Sequence, residues 1–365
     1  MTQADPTWQS AHVYYYAEDK DALLLDAVRP LLDDLRPAVE RAFVVRHWLR
    51  GPHLRLRFHA SDQLFERQIR PALEQRLGGY LATRPSTALL DAEALLPIYT
   101  ALAEQEDEQG PFVPLHPDNT IVYEPYDNRL RVLRRIELVE IIEDFYVETN
   151  PLLFAMLEAV RGGASRLMLS LALMFSTGHI GTHHISSGFL SFRSHAELFI
   201  IRTPEPAAVR AQFERQYAKH APALRAQLQL VLETLAGRRE PAPFVLEWAQ
   251  LLRHYAARAD ALIALGAQSP LIAHSDLTPE QMQIWQARVQ QSEFHRTREA
   301  HSDYWQHLVA EDWFQRYRLM VNLLYLHLSR LGVRPIERAM LGHFLANTVE
   351  ATFGVSATEL IGPQP

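Results

Sequence analysis

Hydrophobic and polar positions change their period along this chain. Residues 53–59 alternate strictly, as His53-Leu54-Arg55-Leu56-Arg57-Phe58-His59. A strand sends successive side chains to opposite faces, so this run predicts an apolar face of Leu54, Leu56 and Phe58. The other face carries His53, Arg55, Arg57 and His59. The stretches "HVYYYAE" (12–18) and "FVVRHWL" (43–49) have the β-branched and aromatic content of strands. Arg50-Gly51-Pro52 between the last two strands predicts a hairpin. Helical spacing covers 19–42, with Leu23, Leu24, Val28, Leu31 and Leu32 on one side and Pro30 and Pro37 disturbing it. A second helix over 61–81 takes Ser61 or Asp62 as N-cap and Gly78-Gly79 as its stop.

The period changes beyond residue 85. Helical patterns cover 87–107, 134–160, 164–178, 203–236, 242–265, 278–300, 302–330 and 335–353. Two strand-like segments, 116–132 and 183–202, interrupt them. The expected fold class is α+β. A small N-terminal β-α-β-β-α sheet unit is followed by a mostly helical remainder with two further strand-like segments, packed as one body. A single domain over 1–365 is expected, with a β-rich unit at 1–85 and a helix-rich remainder at 86–365.

Composition narrows the function classes. The 365 residues are 48% hydrophobic and carry a formal net charge of −7. An acidic balance argues against a nucleic-acid binder, whose phosphate affinity comes from Lys/Arg excess. No window approaches the ~18 apolar residues of a membrane span, and the first residues lack a basic stretch followed by an apolar core. A cytoplasmic location is expected. With no cysteine there is no thiolate chemistry. Lys20 and Lys219 are the only lysines, both in polar sequence expected to be exposed, so Schiff-base chemistry is poorly served.

Four constellations carry candidate chemistry. The His53/Arg55/Arg57/His59 row reads as a solvated edge-strand face or as an anion-binding face, since arginine presents a planar fork to carboxylates. Arg46 and His47 on the neighbouring strand extend the basic character. In "TIVYEPYDNRLRV", Tyr123, Glu124, Tyr126, Asp127 and Arg129 crowd around Pro125, as an Asx-type loop or a substrate-handling one. In "SSGFLSFRSHAELF", Ser191, Arg193 and His195 share a face if the segment is a strand, with Glu197 close behind. His179, His183 and His184 of "HIGTHH" lack an acidic third ligand at a recognised spacing, and no HExxH pattern occurs, so no metal is expected. No phosphate-cradling glycine loop or GxSxG elbow occurs, and no cofactor is expected. In the apolar run "MVNLLYLHLSRLG", Tyr325 lies within a turn of a core face as either a satisfied core phenol or a site residue.

Together, "AHVYYYAEDKDALLLDAVRPLL", "VRHWLRGPHLRLRF", "FRSHAE" and "MVNLLYLHLSRLGVRPIERAML" with "NTVEATFG" resemble the C-terminal domain of lantibiotic dehydratases. More narrowly, they resemble its stand-alone thiopeptide-type bacteriocin biosynthesis form. The resemblance spans nearly the whole chain, and "GPHLRLRF" is its most specific part. It implies work on a ribosomally made precursor peptide with a leader, alongside other biosynthetic enzymes of the same cluster, with a homodimer left open. Full dehydratases of this kind eliminate glutamate from glutamylated Ser/Thr. Pyridine synthases among the stand-alone relatives join two dehydroalanines by a formal [4+2] cycloaddition, then expel water and the leader peptide.

The resemblance also carries residue roles. Arg55 and Arg57 match the arginine pair of the eliminating domains. The Arg-Tyr-Gly-Gly element of those domains is absent from "YEPYDNRLRV", and Tyr325 stands where they carry a histidine. A phenol, with pKa ~10, is a poor base but a good hydrogen-bond donor. The exchange favours a cyclase with Tyr325 as donor and acid, and Arg55, Arg57 and His53 as anion or carbonyl binders. Tyr123, Arg129, Arg193, His195, Glu197 and Ser191 are further substrate-binding candidates. The alternatives are a glutamate-eliminating lyase and a non-catalytic leader-peptide-binding partner of a split dehydratase.

Overall fold

The structure is a computed structural model that describes residues 7–266 and 279–362. Residue 278 of the expected 278–300 helix lies outside the described residues. The chain forms two compact units, Met1–Gly162 with Ser329–Gly332, and Gly163–Leu328 with Val333–Pro365. The fold class is α+β, as the hydrophobic periods predict. No helix among the described residues is long and apolar enough to cross a membrane.

The first unit is built on a four-stranded antiparallel sheet in the order β2-β3-β1-β4. Its strands are β1 (Thr7–Tyr14), β2 (Ala42–His47), β3 (His53–Ala60) and β4 (Thr120–Tyr123). The alternating strand β3 is therefore interior, flanked on both sides, and not an edge. Its apolar face, Leu54, Leu56 and Phe58, is fully buried. Phe65 of the 62–83 helix packs within 6.5 Å of Phe58. That helix runs through Gly78 and Gly79 to Thr83, so the glycine pair is not the expected stop. Both helices of the β-α-β-β-α unit contain a wide π turn directly before a proline-bearing turn, at Leu24–Val28 before Pro30 and Phe65–Ile69 before Pro71. Proline lacks an N–H and its ring collides with the preceding turn, and the wider turn relieves both.

The outer edge of β2 is closed by side chains. Asn150 Nδ2 donates to the Ala42 carbonyl at 2.7 Å, and Arg330 Nε donates to the Val44 carbonyl at 2.8 Å. Arg330 also donates to the Tyr146 carbonyl, Thr149 Oγ1 and Asn150 Oδ1, so this buried guanidinium is satisfied by neutral oxygens. Covering the edge removes a template for unwanted strand pairing.

The regular elements described in the second unit are all helices. Residues 183–202, expected as strand-like, form the helix Ile185–Arg202. Its buried positions Ile185, Phe189, Phe192, Ala196 and Ile200 recur at intervals of three and four, a helical period that the Ser, Phe and Ile content obscures. The N-cap is His184, whose Nδ1 accepts from Ser186 N–H. Gly188 lets this helix press against the Arg166–Gly181 helix. A Cβ there would stand 2.1 Å from the Gly178 carbonyl oxygen.

Candidate functional site

The face of β3 opposite its apolar side is the polar chamber of the first unit. Directly paired residues share a face, so strand register places Tyr14 and His47 beside His53, and His12 beside Arg55. Phe43 and Ser10 flank Arg57. Arg46, paired with Leu54, points the other way and meets Asp21 at 3.0 Å. Of the two basic neighbours on β2, only His47 joins the row. His53 is 0%, Arg57 3% and Arg55 8% exposed, so the row is interior. His59 at its far end is half-buried and packs against Trp8.

Each buried arginine is held by an imidazole. Arg55 Nε donates to His53 Nε2 at 3.1 Å, while His53 Nδ1 donates to the Gly51 carbonyl at 2.8 Å. Gly51 sits at φ +116°, and a Cβ there would collide with the Tyr16 ring. Arg57 Nη1 donates to His12 Nε2 at 3.2 Å. An arginine is always the donor, so His12 carries its ring proton on Nδ1, 3.3 Å from Glu124 Oε2. That approach is close but off the line of a good hydrogen bond, since Nδ1 has no aligned partner. His116 Nε2 lies 3.4 Å from the other Glu124 oxygen. Tyr126 places its ring under Arg57, 5.0 Å from the guanidinium carbon, and donates its hydroxyl to Glu143 at 2.6 Å.

The electrostatics follow from burial. Desolvation, reinforced by Arg57 and Arg55, holds His12 far below the ordinary imidazole range. Desolvation, Arg55 and His47 do the same to His53. Burial and then repulsion from Arg55 pull Arg57 down to about 9, which leaves it charged at neutral pH. Burial also lowers Arg55, against the attraction of Glu108. Among the described residues neither arginine has a carboxylate within ion-pair distance. Buried cations normally carry partners. The unengaged N–H groups of Arg55 and Arg57 give this chamber its capacity for an anion or a carbonyl oxygen.

Beside the chamber, His47, Glu106 and Glu108 bring ligand-type atoms within 4.8 Å of one another. His47 Nδ1 accepts from the Leu49 N–H at 3.1 Å, so its proton sits on Nε2, facing Glu108 at 3.4 Å. Arg129 Nη1 approaches Glu108 at 3.6 Å, and Trp48 donates to Glu106 at 3.0 Å. These contacts make an ion-pair and hydrogen-bond set, because the histidine lone pair a metal would need is turned away.

In the second unit, His195 Nδ1 and Tyr325 Oη are hydrogen-bonded at 2.9 Å. The Arg338 guanidinium lies over the Tyr325 ring, 4.5 Å from its centre. His195 is itself solvent-exposed. Desolvation and then Arg338, Arg318 and Arg298 hold it down to about 4. Burial raises Tyr325 above the usual phenol range, with Arg338 opposing.

Residues 8–349 match the profile of the lantibiotic biosynthesis dehydratase C-terminal family. The chain belongs to that family. Among solved structures, this member is similar to the pyridine synthase TbtD from thiomuracin biosynthesis, at 31% identity and a TM-score of 0.74. That match covers 96% of this chain and 99% of the other. It is also similar to TsrL, at 23% identity and a TM-score of 0.72, over 99% and 100% of the two chains, a likeness of fold. No curated protein matches by sequence.

For this dehydratase-family chain, the residues picked from sequence divide by location. His53, Arg55 and Arg57 converge in the first unit. Tyr123, paired with Ala11, lies on the opposite face of the sheet, where Arg70 stacks on it at 4.4 Å and Glu74 accepts its hydroxyl. Arg129 sits beside Glu106 and Glu108 at the chamber's edge. In the second unit the helix separates the remaining candidates. Ser191 and His195 follow one stripe, while Arg193 and Glu197, four residues apart, follow another. Arg193 binds Asn347 and Glu350, and Glu197 binds Arg210 and accepts from Ser292 at 2.9 Å. His12, Tyr126 and Glu124, outside the residues the sequence singles out as binding candidates, contact or face this row. The period of two on β1, which puts His12 in phase with Tyr14, was the available signal. Lys20 also departs from expectation: it is 5% exposed, donates to the Ala17 carbonyl at 2.6 Å, and is brought down by burial to about 8.

Proposed function

We propose that this chain is a pyridine-synthase-like peptide cyclase. It would join two dehydroalanines of a precursor peptide by a formal [4+2] cycloaddition and then release water and the leader peptide. The supporting observation is its 31% identity, across nearly the full length of both chains, to a pyridine synthase. Tyr325 is the hydrogen-bond donor and acid, suited to favouring the iminol form of an amide and polarising a carbonyl. Its bond to His195 gives the phenol a fixed direction. Arg55 and Arg57 bind an anionic or carbonyl oxygen of the peptide with their unengaged N–H groups. Holding both alkenes together supplies much of the rate, because it replaces a demanding ordering step.

The test is incubation with a leader-bearing peptide that contains azoles and two dehydroalanines, followed by mass spectrometry. Release of the leader with formation of a ring supports the reading. Unchanged peptide across several cognate substrates overturns it, and loss of glutamate from a glutamylated peptide without a ring would favour a lyase.

A further inference from the structure

The chamber contains two arginines that are buried, charged and held from behind, and the groups behind them are histidines. We infer that His12 and His53 are positioning residues, each aiming one guanidinium by offering it the Nε2 lone pair of an imidazole protonated on Nδ1.

The chemistry of the alternatives gives the reason. A carboxylate in either place would form an ion pair, cancel the cation and compete with an anionic ligand. An apolar residue would leave a buried N–H without an acceptor. A neutral imidazole satisfies one N–H and leaves the positive charge intact. This works only in one tautomer, since an Nε2–H would set donor against donor. The structure supports that tautomer at both residues: a hydrogen bond fixes it at His53, and at His12 the Arg57 donor at Nε2 requires it while a carboxylate lies close to Nδ1. The Gly51 carbonyl accepts the His53 Nδ1 proton at 2.8 Å, and the Glu124 carboxylate faces the His12 Nδ1 proton at 3.3 Å. The rings also brace each other. His12 and His53 stack at 5.0 Å, Tyr14 lies 4.5 Å from His53, and His47 lies 5.4 Å from it. Both nitrogens of His53 are engaged, so it acts through Arg55 and does not itself touch a ligand.

Two measurements test this on the full chain. Imidazole ¹⁵N spectra, assigned with His12→Gln and His53→Gln, read the tautomers without substrate. Both residues are expected as Nδ1–H with an acceptor Nε2, and without titration between pH 5 and 8. An Nε2–H form at either residue, or titration in that range, overturns the proposal. The second measurement is turnover and rests on the cyclase reading, whereas the spectra do not, so the two ideas fail separately. Glutamine can accept from arginine and donate to the group behind it, whereas phenylalanine fills the ring volume without either function. His12→Gln and His53→Gln should keep kcat/KM within about tenfold of the parent. His12→Phe and His53→Phe, folded with similar melting temperatures, should lose about a hundredfold through misplaced arginines. Equal losses in folded glutamine and phenylalanine variants would overturn it.

Discussion

Arg55 Nε donates to His53 Nε2 across 3.1 Å, and no carboxylate among the described residues pairs with that guanidinium. A cation that is 8% exposed is thus anchored without being neutralised. Arg330, equally interior, spreads its donors over the carbonyls of Val44 and Tyr146 and the side chains of Thr149 and Asn150. Among the described residues, the Arg330 guanidinium makes four hydrogen bonds to neutral oxygens and the Arg55 guanidinium one to an imidazole, so the proposed binding role falls to Arg55 and the structural one to Arg330.

Replacing Arg55 or Arg57 with methionine should therefore harm turnover more than stability. Removing a buried cation that lacks an ion-pair partner is expected to leave the melting temperature unchanged or raise it. Leader release in the same variants should fall by about a hundredfold or more. Calorimetry beside the mass-spectrometric assay checks both halves. A large loss of stability with normal turnover of the folded fraction would refute the assignment.

Arg330→Met should behave in the opposite way. It strands acceptors on Val44, Tyr146, Thr149 and Asn150 and opens the covered edge of β2. The expected loss is on the order of 3 kcal/mol in denaturant unfolding. A variant as stable as the parent would show that these bonds contribute little.

Tyr325→Phe removes only the hydroxyl shared with His195 and keeps the ring under Arg338. Turnover should drop by about a hundredfold, the lower range of general acid–base effects, with little change in melting temperature. Turnover within twofold of the parent would remove Tyr325 from the proposed chemistry.

Stability should rise with pH between about 4 and 6.5. His343 is held down to about 4 and His295 to about 3, in each case mainly by desolvation, against an unfolded value near 6.5. In that window the unfolded chain binds more protons, so stability present above pH 6.5 is lost as pH falls through the folded values. Melting curves from pH 4 to 8 check the sign. A flat profile would mean that these imidazoles are not buried in the neutral form.

Much of the fold was legible because period is a local property. Strict alternation at 53–59 fixed which residues of β3 share a face, and threefold and fourfold spacing located most helices. The segment 183–202 was misread because its serines, phenylalanines and isoleucines resemble strand composition, while its helical spacing is completed only by the partners that bury it. The glycine pair at 78–79 was misread as a stop for a related reason: both residues adopt ordinary helical backbone angles, and the helix passes through them.

By itself, then, the sequence determined that His53, Arg55 and Arg57 line one side of a strand, and that Tyr325 sits on a helix in a family-specific run. Only the tertiary structure decided that β3 is interior, which turns a row of ordinary surface charges into two desolvated cations. It also decided their partners. His12 is about forty residues away and Glu124 about seventy from the arginines, and only pairing of β1 with β3 and β4 brings them together. Burial and tautomer depend on what stands opposite, and a strand's own pattern cannot specify its neighbours.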